Sequence, residues 1–162
     1  MPVMDSDDRC PICNRDHRAG GLGIPPHILV VEDDPSIARL IAYNLGRDGH
    51  RLTLVGDGAV ALRALRELPV DLVILDLLLP LRSGWQVLRE LRRDPRLATL
   101  PVLVVSALGC DRLKRELEGS GAQHVLGKPF SVAELRETVR NLLDASFTKT
   151  QSIGDSQVTT PE

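Results

Sequence analysis

Asp71-Leu72-Val73-Ile74-Leu75-Asp76-Leu77-Leu78-Leu79-Pro80-Leu81-Arg82-Ser83-Gly84 reads as a buried strand that ends on a carboxylate and turns into a helix. The apolar run 72–75 is short and partly β-branched, which suits a strand covered on both faces. Asp76 stands where that run stops. Three other short runs end in the same way: residues 28–31 in Glu32-Asp33-Asp34, residues 102–105 in Ser106, and residues 125–127 in Lys128-Pro129. If these runs are parallel strands of one sheet, the groups that follow them converge on one edge. Carboxylates, a hydroxyl and an ammonium gathered in a small space bind a divalent cation and carry a phosphoryl group on an aspartate.

The intervening residues alternate strand and helix. Pro35 opens a helical pattern with Ile37, Leu40, Ile41 and Leu45 on its face, and Gly49 closes it. Residues 52–55 form a second strand, and Asp57 can cap a helix with Ala61, Ala64, Leu65 and Leu68 on one face. A third helix over 84–93 turns Val87, Leu88 and Leu91 inward. Leu113 and Leu117 mark a short charged helix, and Val132, Leu135, Val139, Leu142 and Leu143 mark a last one. Five strands and five helices within residues 27–144 imply an α/β fold, a doubly wound parallel sheet. Ligands of such sheets bind beyond the carboxyl ends of the strands.

Composition sets the outer limits. With 162 residues, 43% of them hydrophobic and 26% charged, one soluble domain is expected. A net charge of -2 leaves no basic footprint for nucleic acid, so no nucleic-acid partner is expected. The longest apolar stretch, 72–81, is interrupted by Asp76 and is shorter than the roughly 20 residues that span a bilayer. A cytoplasmic protein without membrane insertion is expected, and three cysteines do not form a disulfide framework. Residues 1–26 read as an extension and 146–162 as a disordered polar tail. The extension holds Cys10-Pro11-Ile12-Cys13, a single knuckle that suits half of a tetrahedral zinc site with His17 or His27 as a further ligand. It also reads as a redox pair or as a pair of cysteines with no metal, the last being the expectation because structural zinc sites bring two ligand pairs. Trp85 and Tyr43 read as packing residues, and Arg112, Arg115, Glu116 and Glu118 as a solvated helix face.

The segments quoted above, together with Val105-Ser106-Ala107, Gly121-Ala122 and Lys128-Pro129-Phe130, resemble a response-regulator receiver domain of bacterial two-component signalling, similar to the chemotaxis regulator. The resemblance implies a flavodoxin-like strand order 2-1-3-4-5 over a domain at 27–145. It makes Asp76 the phosphoacceptor. Glu32 and Asp33, with Asp76 and the backbone carbonyl of Leu78, would hold Mg2+; Ser106 and Lys128 would bind phosphoryl oxygens. It implies a histidine kinase or phosphotransfer protein as donor, a downstream protein target, and no enzyme activity beyond the protein's own phosphorylation and dephosphorylation. A stand-alone regulator signalling by direct contact is the expectation. Chemistry agrees: two anions must react, so a hard cation has to bridge them.

Some positions depart from the family's pattern. Val125 occupies the place of the switch aromatic, and Gln123 and His124 replace two acids that serve in dimer ion pairs of the DNA-binding subfamily. A homodimer therefore stays open. Leu78 and Leu108, beside the phosphoryl position, predict slow loss of the group by obstructing water. Glu32-Asp33-Asp34 also reads as a helix cap. The alternative function is a receiver fold that binds its partner without phosphorylation, favoured by Val125. A haloacid-dehalogenase-type phosphatase would need a second acid where Leu78 stands.

Overall fold

A computed structural model describes residues 24–108 and 110–151; the knuckle residues Cys10 and Cys13, with His17, and residues 152–162 lie outside them. Strand and helix alternate as β1 (His27–Val31), α1 (Pro35–Arg47), β2 (Arg51–Val55), α2 (Gly58–Glu67), β3 (Leu72–Asp76), α3 (Gly84–Arg93), β4 (Val102–Ser106), α4 (Cys110–Leu117), β5 (His124–Gly127) and α5 (Val132–Gln151). The five strands form one parallel sheet in the order β2-β1-β3-β4-β5. Every residue of the three central strands is buried. The two edge strands are not.

Period-two alternation divides the sheet's side chains between two layers. Leu29, Val31, Val73, Leu75, Val102 and Val104 pack under α2, α3 and α4. Ile28, Val30, Leu72, Ile74, Leu103 and Val105 pack under α1 and α5. A strand covered twice must be apolar at every position, which is why the central runs lack polar residues until they end.

Local chemistry sets the helix ends. Asp34 Oδ1 accepts from Ser36 N–H at 2.8 Å, with Pro35 opening α1. Asp57 accepts from Val60 N–H at 2.9 Å, and Ser83 with Gln86 forms a capping box on α3. Gly49 has φ of 88°, a left-handed turn just past the end of α1 that suits glycine.

Several expected positions differ. Leu40 is 43% exposed; the buried stripe of α1 is Ala38, Ile41 and Leu45, and Leu40 lies about 100° away from Ile41 around the helix. Leu68 is the exposed C-cap of α2 rather than part of its inward face. Tyr43 is no packing residue: it is exposed, with the Arg47 guanidinium 5.6 Å above its ring. The last helix does not stop at residue 145, for α5 continues to Gln151. Propagating an existing helix adds a hydrogen bond per residue fixed, and Ser146 Oγ donates back to Leu142 O at 2.9 Å, so polar composition does not end it. Among the described residues no helix is long and apolar enough to cross a membrane.

Arg92 ties the lower end of the sheet together. Its guanidinium donates to the backbone oxygens of Leu97, Ala98, Leu100 and Gly121, joining the loop after α3 to the loop after α4. Burial without a carboxylate partner lowers its pKa from the ordinary value. Gly121 has φ of 90°, and a Cβ there would fall 2.3 Å from Arg92 Nε. Replacing Arg92 by Met strips several half-buried carbonyls of their donors. The expected loss is roughly 1–3 kcal/mol, read as a lower urea midpoint with an unchanged m-value; an unchanged midpoint would show that water replaces the guanidinium at no cost.

Candidate functional site

Glu32 follows β1 and Asp76 closes β3, and these strands are neighbours with Val31 level with Leu75. Both carboxylates therefore reach the same edge of the sheet. On the other side of β3, Asp76 is level with Val105, and Ser106 pairs with Gly127 just before Lys128. Four separate runs deliver Glu32, Asp76, Ser106 and Lys128 to one end.

Lys128 joins the two acids. Its Nζ donates to Glu32 Oε2 at 2.7 Å and to Asp76 Oδ2 at 3.0 Å. The Glu32 and Asp76 side chains are 2% and 5% exposed, so this triad is largely desolvated. The Lys128–Pro129 peptide bond is cis. Asp33 is exposed, and one oxygen each from Glu32, Asp33 and Asp76 lie within 4.8 Å of one another. Three such oxygens fit a hard divalent cation, and the exposed one leaves room for the waters that Mg2+ retains.

The acidic triplet divides its work. Asp34 turns away as the cap of α1, while Glu32 and Asp33 face Asp76. The cap reading holds for Asp34, while Glu32 and Asp33 are grouped with Asp76 as a cation site would need. Asp76 Oδ1 accepts the Leu78 N–H at 2.9 Å, so each of its oxygens has a donor. The Leu78 side chain is 53% exposed. Ser106 is fully buried and its Oγ accepts the Leu108 N–H at 3.2 Å; it makes no hydrogen bond to Asp76.

Gly84 is a site residue whose reason the sequence conceals. A Cβ there would fall 2.2 Å from Asp76 O and 2.6 Å from Leu77 Cα. Only glycine lets the first turn of α3 press against the backbone that presents Asp76. The available signal was a glycine opening a helix directly after a strand-end loop. Its helical position was legible; the close approach was not.

Two further expectations meet the structure here. His27 is not a free metal ligand: it is buried at the opposite end of the sheet, with Nε2 2.7 Å from Thr53 Oγ1 and Nδ1 3.1 Å from Pro69 O. Val125 is half-buried against the layer beneath α4. Gln123, though exposed, uses its side chain within the chain, with Oε1 accepting from Val102 N–H at 2.6 Å and from Arg92.

Charge balance is uneven. Burial raises the Glu32 pKa above its ordinary value, the Lys128 and Asp34 donors pull it back only in part, and the nearby Asp76 charge adds to the rise. Burial opposes the charge on Lys128, but hydrogen bonds to Glu32 and Asp76 outweigh it and raise its pKa. A raised carboxylate binds its proton more tightly in the folded state. Stability of the metal-free protein relative to its Glu32→Gln variant should thus fall as pH rises from 4.5 to the elevated folded value. Lys128 has the same sign, but its contribution is lost only in the alkaline range. Urea unfolding of both proteins in chelator across the acid range tests this; a difference that grows with pH would mean that Glu32 is depressed instead.

A family model for the response regulator receiver domain matches residues 28–140. RpaA of Synechocystis, described as a DNA-binding dual master transcriptional regulator, is 41% identical over 73% of this chain and 49% of its own length. MtrA of Mycolicibacterium smegmatis, a DNA-binding response regulator, is 37% identical over 83% of this chain and 59% of its own. The chain spans about half the length of these relatives. Among solved structures, the receiver domain of a Francisella response regulator superposes with a TM-score of 0.70 at 32% identity, covering 75% of this chain and 98% of that one. The receiver domain of a Pseudomonas aeruginosa sensor histidine kinase, with magnesium coordinated in its active-site cleft, gives 0.68 at 29% identity over 74% and 98%.

Proposed function

This chain belongs to the response regulator receiver domain family of two-component signalling, and from that premise we propose that Asp76 accepts a phosphoryl group from the phosphohistidine of a sensor histidine kinase or phosphotransfer protein. The observation that carries the reading is Asp76 itself: buried, each oxygen held by a donor, and grouped with Glu32 and Asp33.

An Asp76 carboxylate oxygen attacks phosphorus as the P–N bond breaks, and its electron pair stays on the imidazole. Water later attacks the same phosphorus and the carboxylate leaves. Glu32, Asp33, Asp76 and the Leu78 carbonyl would hold Mg2+, whose charge allows two anions to approach. Lys128 moves from the carboxylate to a phosphoryl oxygen with little displacement, because it already lies 3.0 Å from Asp76 Oδ2. Ser106, released from the Leu108 N–H, donates to another oxygen. That release draws the loop before α4 inward, a local change with a distant readout. Catalysis is confined to the protein's own phosphorylation and hydrolysis, in the cytoplasm, and output runs through contacts with a downstream protein.

A second reading, partner binding without phosphorylation, is favoured by Val125 alone. Incubation with acetyl phosphate and magnesium separates the two. The expected result is one phosphoryl mass increment, abolished by Asp76→Asn. An unmodified wild-type protein would favour the second reading, and repeated turnover of varied phosphoesters would mean a phosphatase.

The lifetime of the product is a separate matter. Leu78 and Leu108 are 53% and 40% exposed in the two loops flanking Asp76, and neither side chain can hydrogen-bond an attacking water. The phosphoprotein should persist for minutes or longer when magnesium is present. Decay within seconds, followed by intact mass, would show that the leucines do not obstruct the water.

A further inference from the structure

The phosphoryl chemistry makes no use of the charge on α2 and α3. Arg63 and Arg66 on α2, Arg82 in the loop before α3, and Arg89 and Arg93 on α3 are all exposed. The two helices are neighbours, and each buries a different stripe, Ala61, Leu62 and Leu65 in one and Val87, Leu88 and Leu91 in the other. Among these arginines stand three acids, Glu67, Glu90 and Asp94, the last at the C-cap of α3 and close enough to Arg66 to feel its charge. The chain as a whole carries -2, so this face is opposite in sign to the remainder. It also contains no lysine.

Part of the pattern has an internal explanation. Arg66 and Arg93 lie in the last turns of their helices, where the dipole favours cations. Glu90 sits between Arg82, at 2.6 Å, and Arg66, at 3.9 Å. Elsewhere Arg112 pairs with Glu116 and Arg136 with Asp48, whereas Arg47, Arg51 and Arg115 turn to Tyr43, to His27 and to a backbone oxygen. Arg63, Arg89 and Arg93 form no ion pair with any described residue. Arg89 and Arg93 are four apart on one helix, where like charges repel. A merely solvated face would be better mixed in sign.

We propose that the α2–α3 face is a docking surface for an acidic segment of a partner protein, and that it binds whatever the state of Asp76. Guanidinium groups grip carboxylates through paired donors, a fit that lysine lacks. Glu90 already models the contact, one carboxylate between two arginines. A nucleic-acid backbone fits less well: duplex DNA carries a charge about every 1.7 Å along its axis, so it cannot skip Glu67 and Glu90, whereas the acids of a peptide can be spaced around them. The face is also rigid. The Ser83 capping box and the close approach at Gly84 fix α3 on the sheet, and the loop that answers Ser106 leads to α4 instead. This inference does not depend on phosphoryl transfer.

Fluorescence anisotropy of a labelled decaglutamate peptide with the full chain tests it. Wild-type protein and Asp76→Asn should bind alike, and added salt should weaken both. Combined Arg63→Glu, Arg89→Glu and Arg93→Glu should weaken binding by about tenfold or more, with the unfolding midpoint preserved; Arg→Gln at the same positions serves if the reversal fails to fold. Arg112→Glu, Lys114→Glu and Arg115→Glu on α4 should change it little. No binding by wild type, an equal loss from the α4 variant, or a dependence on Asp76 overturns the proposal. So does tighter binding of random-sequence duplex DNA than of the peptide, which would make the face a nucleic-acid surface.

Discussion

Glu32 and Asp76 stand at the ends of adjacent parallel strands, and strands in a sheet lie about 4.8 Å apart, so their charges meet whatever the rest of the chain does. Two unit charges about 4 Å apart repel by roughly 4 kcal/mol at an effective dielectric near 20. Lys128 answers that repulsion from the far side of the sheet, through 2.7 and 3.0 Å contacts. The answer is incomplete, since one ammonium faces two buried acids with Asp33 beside them and Glu32 stays raised. The residual negative charge is what a divalent cation or a bridged phosphoryl donor relieves. Function here uses a deficit that folding alone would have removed.

Such a deficit is tolerable because the platform under it is stiff. β1, β3 and β4 are buried on both faces, and their parallel register holds the strand ends level. Gly84 lets α3 press on the backbone at Asp76. At the opposite end Arg92 is satisfied differently, by neutral carbonyls and not by acids. The same kind of group serves structure at one end, where its partners are complete, and chemistry at the other, where they are not. Asp48 at the end of α1, bridged to Arg136 on α5, adds a matching brace in the second layer.

The sequence made the fold legible because double burial forces unbroken apolar runs, and a charge that ends such a run must lie at the sheet's edge. Asp57 as a cap and Lys128 beside the acids followed from the same logic. Less legible were features set by three-dimensional approach. Pro35 at the first helical position marks Asp34 as the cap, but nothing local tells that Glu32 is buried beside Asp76 while Asp33 is exposed. His27 looks like a spare ligand until Thr53 and Pro69, distant in sequence, take both ring nitrogens. Leu40 and Leu68 are apolar yet exposed, since apolar residues on a surface are ordinary. The end of α5 was misplaced because helix propagation depends on backbone bonds that composition does not register.

Net charge misleads for a related reason. A total of -2 argues against nucleic acid only if charge is evenly spread, and here it is not. Acids gather at the strand ends and arginines along α2 and α3. Along the 10 residues of α3 the rise is about 15 Å, whereas exposed charges are screened within about 8 Å at physiological ionic strength. Arg93 at the far end of α3 and the carboxylates near the other end therefore act on their surroundings as separate fields, while Arg82, in the loop before α3, lies on the carboxylate side. A partner held at the first would not feel a change of charge at the second, which is the condition that binding independent of Asp76 requires.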